Sequence, residues 1–139
     1  MSATLTPEAR ALLAGPSTAH LASIRPDGTP ASHPVWVGLE GDRLLVSTGR
    51  SRPKTRNVEH DPHVALSIVA HDNPYEELMV RGTVVEVRAD PDLADMHPIA
   101  HVYTGRDFPF NSGEQVTIVI QPDWVFHQSL PFEPVATAD

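Results

Sequence analysis

The sequence predicts a mainly β fold, a small barrel of six or seven mostly antiparallel strands with short helices at its periphery. Three observations carry that prediction. Short stretches with strand-like alternation recur along the chain, separated by clusters of Pro, Gly, Asp and Asn. No strand–helix unit repeats, which argues against a doubly wound parallel sheet. The chain has 139 residues, 15.1 kDa and 40% hydrophobic residues, enough for one core spanning residues 1–139.

The first 16 residues read as a helical segment. Residues 4–13 form an amphipathic helix that Thr4 or Thr6 can cap, with Pro7 tolerated in its first turn and Gly15-Pro16 as its stop. Its expected work is to cover an open sheet edge. Strands at 19–24, 31–39 and 43–48 follow, joined by Arg25-Pro26-Asp27-Gly28 and by Glu40-Gly41-Asp42. Pro34 lacks an amide donor, so its strand belongs at an edge, a bulge or a ligand-facing break.

A short helix is expected at 52–60, ended by Asp61-Pro62, and then a strand at 64–70. The turn at 71–74 leads into a longer strand at 77–88, where Gly82 marks a bulge. Asp90-Pro91 stops it. A helical stretch at 92–102 is interrupted in its pattern by Pro98, and residues 105–113 read as a loop whose Phe108 and Phe110 can cover a pocket or a partner. Val116, Ile118 and Ile120 share one side of a strand. Pro122-Asp123 is read as a turn into a last strand at 124–128, and residues 129–139 as an extended tail. A barrel this small has little interior, so a sizeable ligand is expected outside it or between two copies.

Charge narrows the function. Eighteen acidic against ten basic residues give −8, which disfavours a continuous nucleic-acid surface. Four of the ten cations, Arg50, Arg52, Lys54 and Arg56, fall between positions 50 and 56; subtracting them from −8 leaves −12 elsewhere. A compact cationic site on an acidic protein fits a small anion. Ser47 and Thr48 end a strand there, Gly49 allows a turn, Ser51 is positioned to cap the helix, and free amides at a helix start face a bound phosphate. Neither a Gly-x-x-x-x-Gly-Lys nor a Gly-x-Gly-x-x-Gly pattern occurs, which weakens ATP or NAD as ligand.

With no cysteine, disulfides, thiol catalysis and thiolate metal sites are excluded. His97 and His101 have i,i+4 spacing but no His-Glu-x-x-His pattern or third ligand, so no metal site is expected. No apolar run is long enough to span a membrane, and no secretion-signal segment stands at the amino terminus, so the expected location is cytoplasmic.

The assembled pattern resembles the pyridoxamine-phosphate-oxidase-like split-barrel flavoproteins, and within them the deazaflavin-dependent reductases of actinobacteria that use coenzyme F420. It is carried by Ala22-Ser23-Ile24-Arg25-Pro26-Asp27-Gly28-Thr29-Pro30, Pro34-Val35-Trp36, Pro53-Lys54-Thr55-Arg56-Asn57-Val58 and Asp61-Pro62-His63-Val64-Ala65-Leu66. Asn73-Pro74-Tyr75, Val80-Arg81-Gly82-Thr83-Val84 and Tyr103-Thr104-Gly105 extend it.

This resemblance implies a split β-barrel of the FMN-binding type, assembled as a homodimer with cofactor sites at or near the subunit interface. Trp124 and Phe126, with Phe108 and Phe110, are candidates for that interface. The resemblance also implies that Ser47, Thr48, Lys54, Arg56 and Asn57 cradle the cofactor phosphate, in the region that charge had selected together with Arg50. Pro34, Val35 and Trp36 resemble the strand beside the flavin-like ring, with His33 near ring or substrate. Tyr75 lies in a segment that resembles a cavity-closing loop. The implied reaction is hydride transfer from reduced F420 to a small conjugated substrate, an enone or a tetrapyrrole. FMN is the alternative cofactor, and a non-enzymatic binder of a flavin, deazaflavin or haem derivative is the alternative role.

Overall fold

The computed structural model describes residues 2–135. Helix α1 (Pro7–Ala14) starts where Thr6 Oγ1 accepts the Ala9 N–H at 3.2 Å, so Thr6 rather than Thr4 is the cap. Seven strands follow: β1 (Thr18–Ile24), β2 (Pro30–Val35), β3 (Gly38–Glu40), β4 (Arg43–Gly49), β5 (His63–Ala70), β6 (Asn73–Ala89) and β7 (Gln115–Ser129). Helix α2 (Pro53–His60) lies between β4 and β5, and α3 (Met96–Thr104) between β6 and β7.

All pairings are antiparallel, in the order β2-β1-β5-β6-β7-β4-β3. The two edge strands, β2 and β3, are consecutive in sequence and separated only by Trp36 and Val37. Two residues reach about 10 Å at most. The sheet must therefore curl until its edges nearly meet without pairing, which makes a split barrel. The single strand expected at 31–39 is thus two strands, each on a different edge. Pro34 sits on edge strand β2, where its missing N–H disturbs only one ladder.

Alternation sends Leu21, Leu44, Val46, Leu66, Ile68, Leu78, Val80, Ile118 and Ile120 inward to the main core. Leu5, Leu12 and Leu13 close it from the α1 segment and Val58 from α2. Helix α1 packs against edge strand β3 and against β5, as its expected covering role requires. Arg10 and the Leu5 N–H both reach the Asp42 carboxylate and pin that segment to the β3–β4 turn.

Two further expectations, one on β7 and one on α3, need correction. Pro122-Asp123 does not turn the chain, because β7 runs through it. Arg81 pairs with Trp124 and Gly82 with Pro122, so Asp123 is an extra residue absorbed by the register shift at Gly82. Its carboxylate accepts from Thr83 Oγ1 at 2.6 Å. Gly82 is required there: a Cβ would lie 2.6 Å from Ile120 Cγ2 and 2.9 Å from the Gln121 carbonyl oxygen. The second concerns the helix expected at 92–102, which begins only at Met96. Pro98 is then its third residue, where the first-turn N–H has no intrahelical partner to lose. Buried Asp90 caps α3 instead, accepting the Met96 N–H at 3.1 Å and the Asp95 N–H at 3.2 Å.

The tail expected at 129–139 begins as strand, since β7 includes Ser129; Phe132 then packs edge-on against Tyr75, and residues 136–139 lie outside the described residues. Among the described residues no helix is long and apolar enough to cross a membrane.

Candidate functional site

Strand alternation decides which side chains of β4 can meet a ligand. Leu44, Val46 and Thr48 face the barrel interior and are buried, whereas Leu45 and Ser47 face outward. On that outer side Leu45 packs with Val119 and with Ile99 of α3, and half-buried Trp36 and Tyr103 join the same cluster. Beside it opens a cavity of about 430 Å³ whose lining includes Ser47, Lys54, Trp36, Met96, Tyr103 and Phe108. Pro34, Val35 and residues 16–19 complete its wall. This cavity lies on the outer side of the barrel, where the small interior leads a sizeable ligand to be expected.

Helix α2 contributes Lys54 to the cavity lining. The N-cap is Arg52, with no side-chain cap bond, so the expected cap by Ser51 does not form; Ser51 Oγ reaches Glu114 at 3.4 Å. Thr55 fixes the turn before α2 by donating to the Gly49 carbonyl at 2.8 Å. The Thr55 and Arg56 amides return to Arg52 O at 3.1 and 3.3 Å, leaving Lys54 as the first-turn residue with both side chain and amide uncommitted to Arg52.

Burial pushes the Lys54 ammonium below its ordinary range, and nearby Arg52 pushes it the same way. A desolvated cation beside a like charge is one that an anion would relieve. His33 is also held below its ordinary range, first by burial and then by Lys54 and Arg25. Its Nδ1 is buried and has no hydrogen-bond partner.

The same cavity is lined by a stacked aromatic pair. Trp36 and Tyr103 stack with centroids 5.1 Å apart and planes 9° apart. Tyr103 Oη donates to the Ser17 carbonyl at 2.8 Å and accepts the Val37 N–H at 3.2 Å. It thereby ties α3 to the start of β1 and to the two-residue link between the barrel edges. Burial pushes the Tyr103 hydroxyl above its ordinary range.

The residues singled out in the sequence divide into four groups. Pro34, Val35, Trp36, Ser47 and Lys54 come together around this cavity. Arg56 is exposed on α2, Arg50 pairs with Glu59 at 3.0 Å, and Asn57 is buried and donates to Ser23 Oγ at 3.1 Å; none of these lines the cavity. Thr48 points inward, and His33, opposite Leu21 on β2, is placed on the inward face. Tyr75 is not in a loop: Asn73, Pro74 and Tyr75 open β6, and the Tyr75 ring meets Phe132.

Sequence reading assigned no role to Met96 or to Tyr103, although Tyr103-Thr104-Gly105 was part of the resemblance. Tyr103 follows Trp36 by 67 positions in the sequence, so only packing reveals the stack. Among the described residues no group of three His, Cys, Asp or Glu side chains could hold a metal ion.

A profile described as pyridoxamine 5'-phosphate oxidase matches residues 5–129. The chain belongs to the pyridoxamine 5'-phosphate oxidase family. A solved structure described as an F420 reductase is 35% identical, covering 84% of this chain and 94% of that one, with a TM-score of 0.77. A conserved hypothetical protein from Mycobacterium tuberculosis superposes with a TM-score of 0.76 at 18% identity, over 99% of this chain and 95% of that one. An FMN-binding, pyridoxamine 5'-phosphate oxidase-related protein from Nostoc punctiforme gives 0.61 at 18% identity, over 90% and 80%. These last two show the fold alone. No curated protein matches the chain. Membership in this family places the chain among split-barrel proteins of oxidoreductase type, and the outward cavity beside β4 and α2 is its candidate site.

Proposed function

We propose that the chain is an F420-dependent reductase acting on a small conjugated acceptor. The observation that carries this reading is one cavity lined both by a half-buried lysine, which makes no ion pair among the described residues, and by the stacked Trp36–Tyr103 pair. That is the distribution needed by a ligand with a phosphate and a planar ring. The 35% identity to a structure described as an F420 reductase supports F420 over FMN. The residues fit the group: Lys54 and Ser47 would hold its phosphate, while Pro34, Val35 and Trp36 would lie along its ring. When bound, F420 supplies hydride chemistry from that ring.

The protein's part is to orient and to exclude water. Lys54 gives a point charge on a flexible stem, and the adjoining first turn of α2 adds a favourable field. Trp36 and Tyr103 present apolar surface on which a ring can lie. Tyr103 Oη donates to Ser17, so in this reading its part is to position the aromatic pair.

The cavity, about 430 Å³, lies at the small end of the roughly 300–1,000 Å³ common for ligand sites, and part of a long cofactor must extend beyond it. We propose that a second copy completes the assembly through the outer face of β6 and β7. There Met79, Trp124 and Phe126 are exposed by 38–39%, Trp124 and Phe126 stack, and Arg81 lies 4.4 Å over Trp124.

Equilibrium titration with F420 and FMN, followed by anaerobic assay of reduced F420 against a panel of enones and quinones, tests the reading. Binding and oxidation of reduced F420 are expected. FMN that co-purifies while F420 fails to bind would replace the cofactor, and tight F420 binding without turnover across the panel would make the protein a carrier.

A further inference from the structure

We propose that Phe108 is the specificity-determining wall of the candidate site and that His97 positions it. The proposal rests on the cavity being the ligand site. Phe108 borders both the 430 Å³ cavity and a second one of about 390 Å³ that is formed with Gly49, Ser51, Arg52, Phe110 and Gln115. Its ring meets Trp36 edge-on, with centroids 6.4 Å apart and planes at 88°, and Phe110 at 5.7 Å and 77°. On the polar side the partition continues as the Gln115 Nε2 to Ser47 Oγ bond of 2.8 Å, joining one residue of each cavity. Phe108 and the Ser47–Gln115 hydrogen bond thus lie on the border of both spaces.

Phe108 belongs to no helix or strand, so something must hold its backbone. Helix α3 does so at two successive residues. The Phe108 N–H donates to His97 Nδ1 at 3.1 Å, and Asp107 Oδ1 lies 2.6 Å from His101 Nε2. His97 and His101 share a helix face through their i,i+4 spacing, and here that face grips the returning loop. To accept at Nδ1, the His97 ring must be neutral with its proton on Nε2. Removing the Phe108 ring would join the two spaces and admit a ligand one ring larger. Removing the His97 acceptor would release the loop with the ring still present.

The test uses the full chain with Trp124→Phe, which leaves Trp36 as the single tryptophan reporter. Two probes share an anion and a naphthalene and differ by one ring: 1-naphthalenesulfonate and 8-anilino-1-naphthalenesulfonate. Quenching of Trp36 gives both affinities, and a common loss of affinity on Lys54→Ala locates them in the cavity. Phe108→Ala is expected to shift the affinity ratio towards the larger probe on the order of tenfold, the scale set by adding or removing a small apolar group in a pocket. His97→Leu shifts it in the same direction. His97→Asn, which keeps an acceptor near the Nδ1 position, restores it, whereas a purely structural role for the imidazole would leave both variants alike.

An unchanged ratio in Phe108→Ala would overturn the proposal, as would Asn and Leu at position 97 behaving alike, or absence of Trp36 quenching by the smaller probe. F420 and FMN titrations on the same proteins fail separately. A protein that discriminates the sulfonates but binds neither cofactor keeps the wall and loses the proposed function.

Discussion

Replacing Lys54 by Met removes its charge and retains most of its aliphatic length, so it separates ligand recognition from packing. Lys54 lines the cavity, is half-buried, and among the described residues makes no ion pair. A hydrogen bond to a charged group contributes about 1.5–3 kcal/mol. That range corresponds to a roughly 10- to 150-fold loss in affinity for a phosphate-bearing cofactor. Arg56 stands two residues further on but is exposed and does not line the cavity, so Arg56→Ala should change affinity by less than about threefold, the scale of an exposed charge pair. Fluorescence titration of wild type and both variants with F420 and FMN, at low and moderate salt, measures the difference. Urea unfolding checks that Lys54→Met leaves stability within about 0.5 kcal/mol, the usual range for a substitution away from core packing. Equal losses in the two variants, or an unaltered affinity in Lys54→Met, would refute the reasoning.

The same lysine predicts a pH dependence. A bound phosphate favours the charged amine, so the Lys54 pKa is higher in the complex than in the free protein, and binding takes up protons. Affinity must then fall as pH rises through the free-state value, which lies below the ordinary 10.5; the slope should vanish in Lys54→Met. Gly82→Ala should cost about 1–3 kcal/mol in urea unfolding, towards the upper end because the Gln121 carbonyl, 2.9 Å from the added Cβ, is backbone and cannot swing away. Tyr103→Phe should cost about 1–3 kcal/mol, because Ser17 O and the Val37 N–H both lose their partner. It should also weaken cofactor binding by tilting the floor under Trp36, and unchanged affinity would remove Tyr103 from the site. His33 is held below its ordinary 6.5, so the folded state resists its protonation and stability should fall as pH drops from about 6.5 towards the folded value. His33→Gln should flatten that segment of a stability–pH curve.

Elements governed by neighbours in sequence were legible. Gly15-Pro16 stops α1, Asp27-Gly28 turns β1 into β2, and Gly82 marks the register shift of β6. Four cations in seven residues drew attention to the segment joining β4 to α2, of which Ser47 and Lys54 line the cavity. Exceptions arose where a local signal had a distant answer. Pro122-Asp123 has the composition of a turn, but the unpaired Asp123 is accommodated at the register shift by Gly82, 41 positions earlier. Ser51 has the side chain of a cap, but the helix begins one residue later. Within the cationic cluster, composition could not separate Lys54 in the cavity from Arg50 on Glu59 or Arg56 in solvent.

By itself the sequence determined the strand and helix content, the antiparallel connections and the location of the positive charge, because turn residues and side-chain alternation act over a few positions. Only the tertiary structure decided that β2 and β3 lie on opposite edges of one curled sheet. It also decided that Ser47 faces the outer cavity while Thr48 does not, and that Trp36 finds Tyr103. Those choices follow from which face of each strand is buried and from what packs across it, and contacts between residues far apart in the chain leave no local mark.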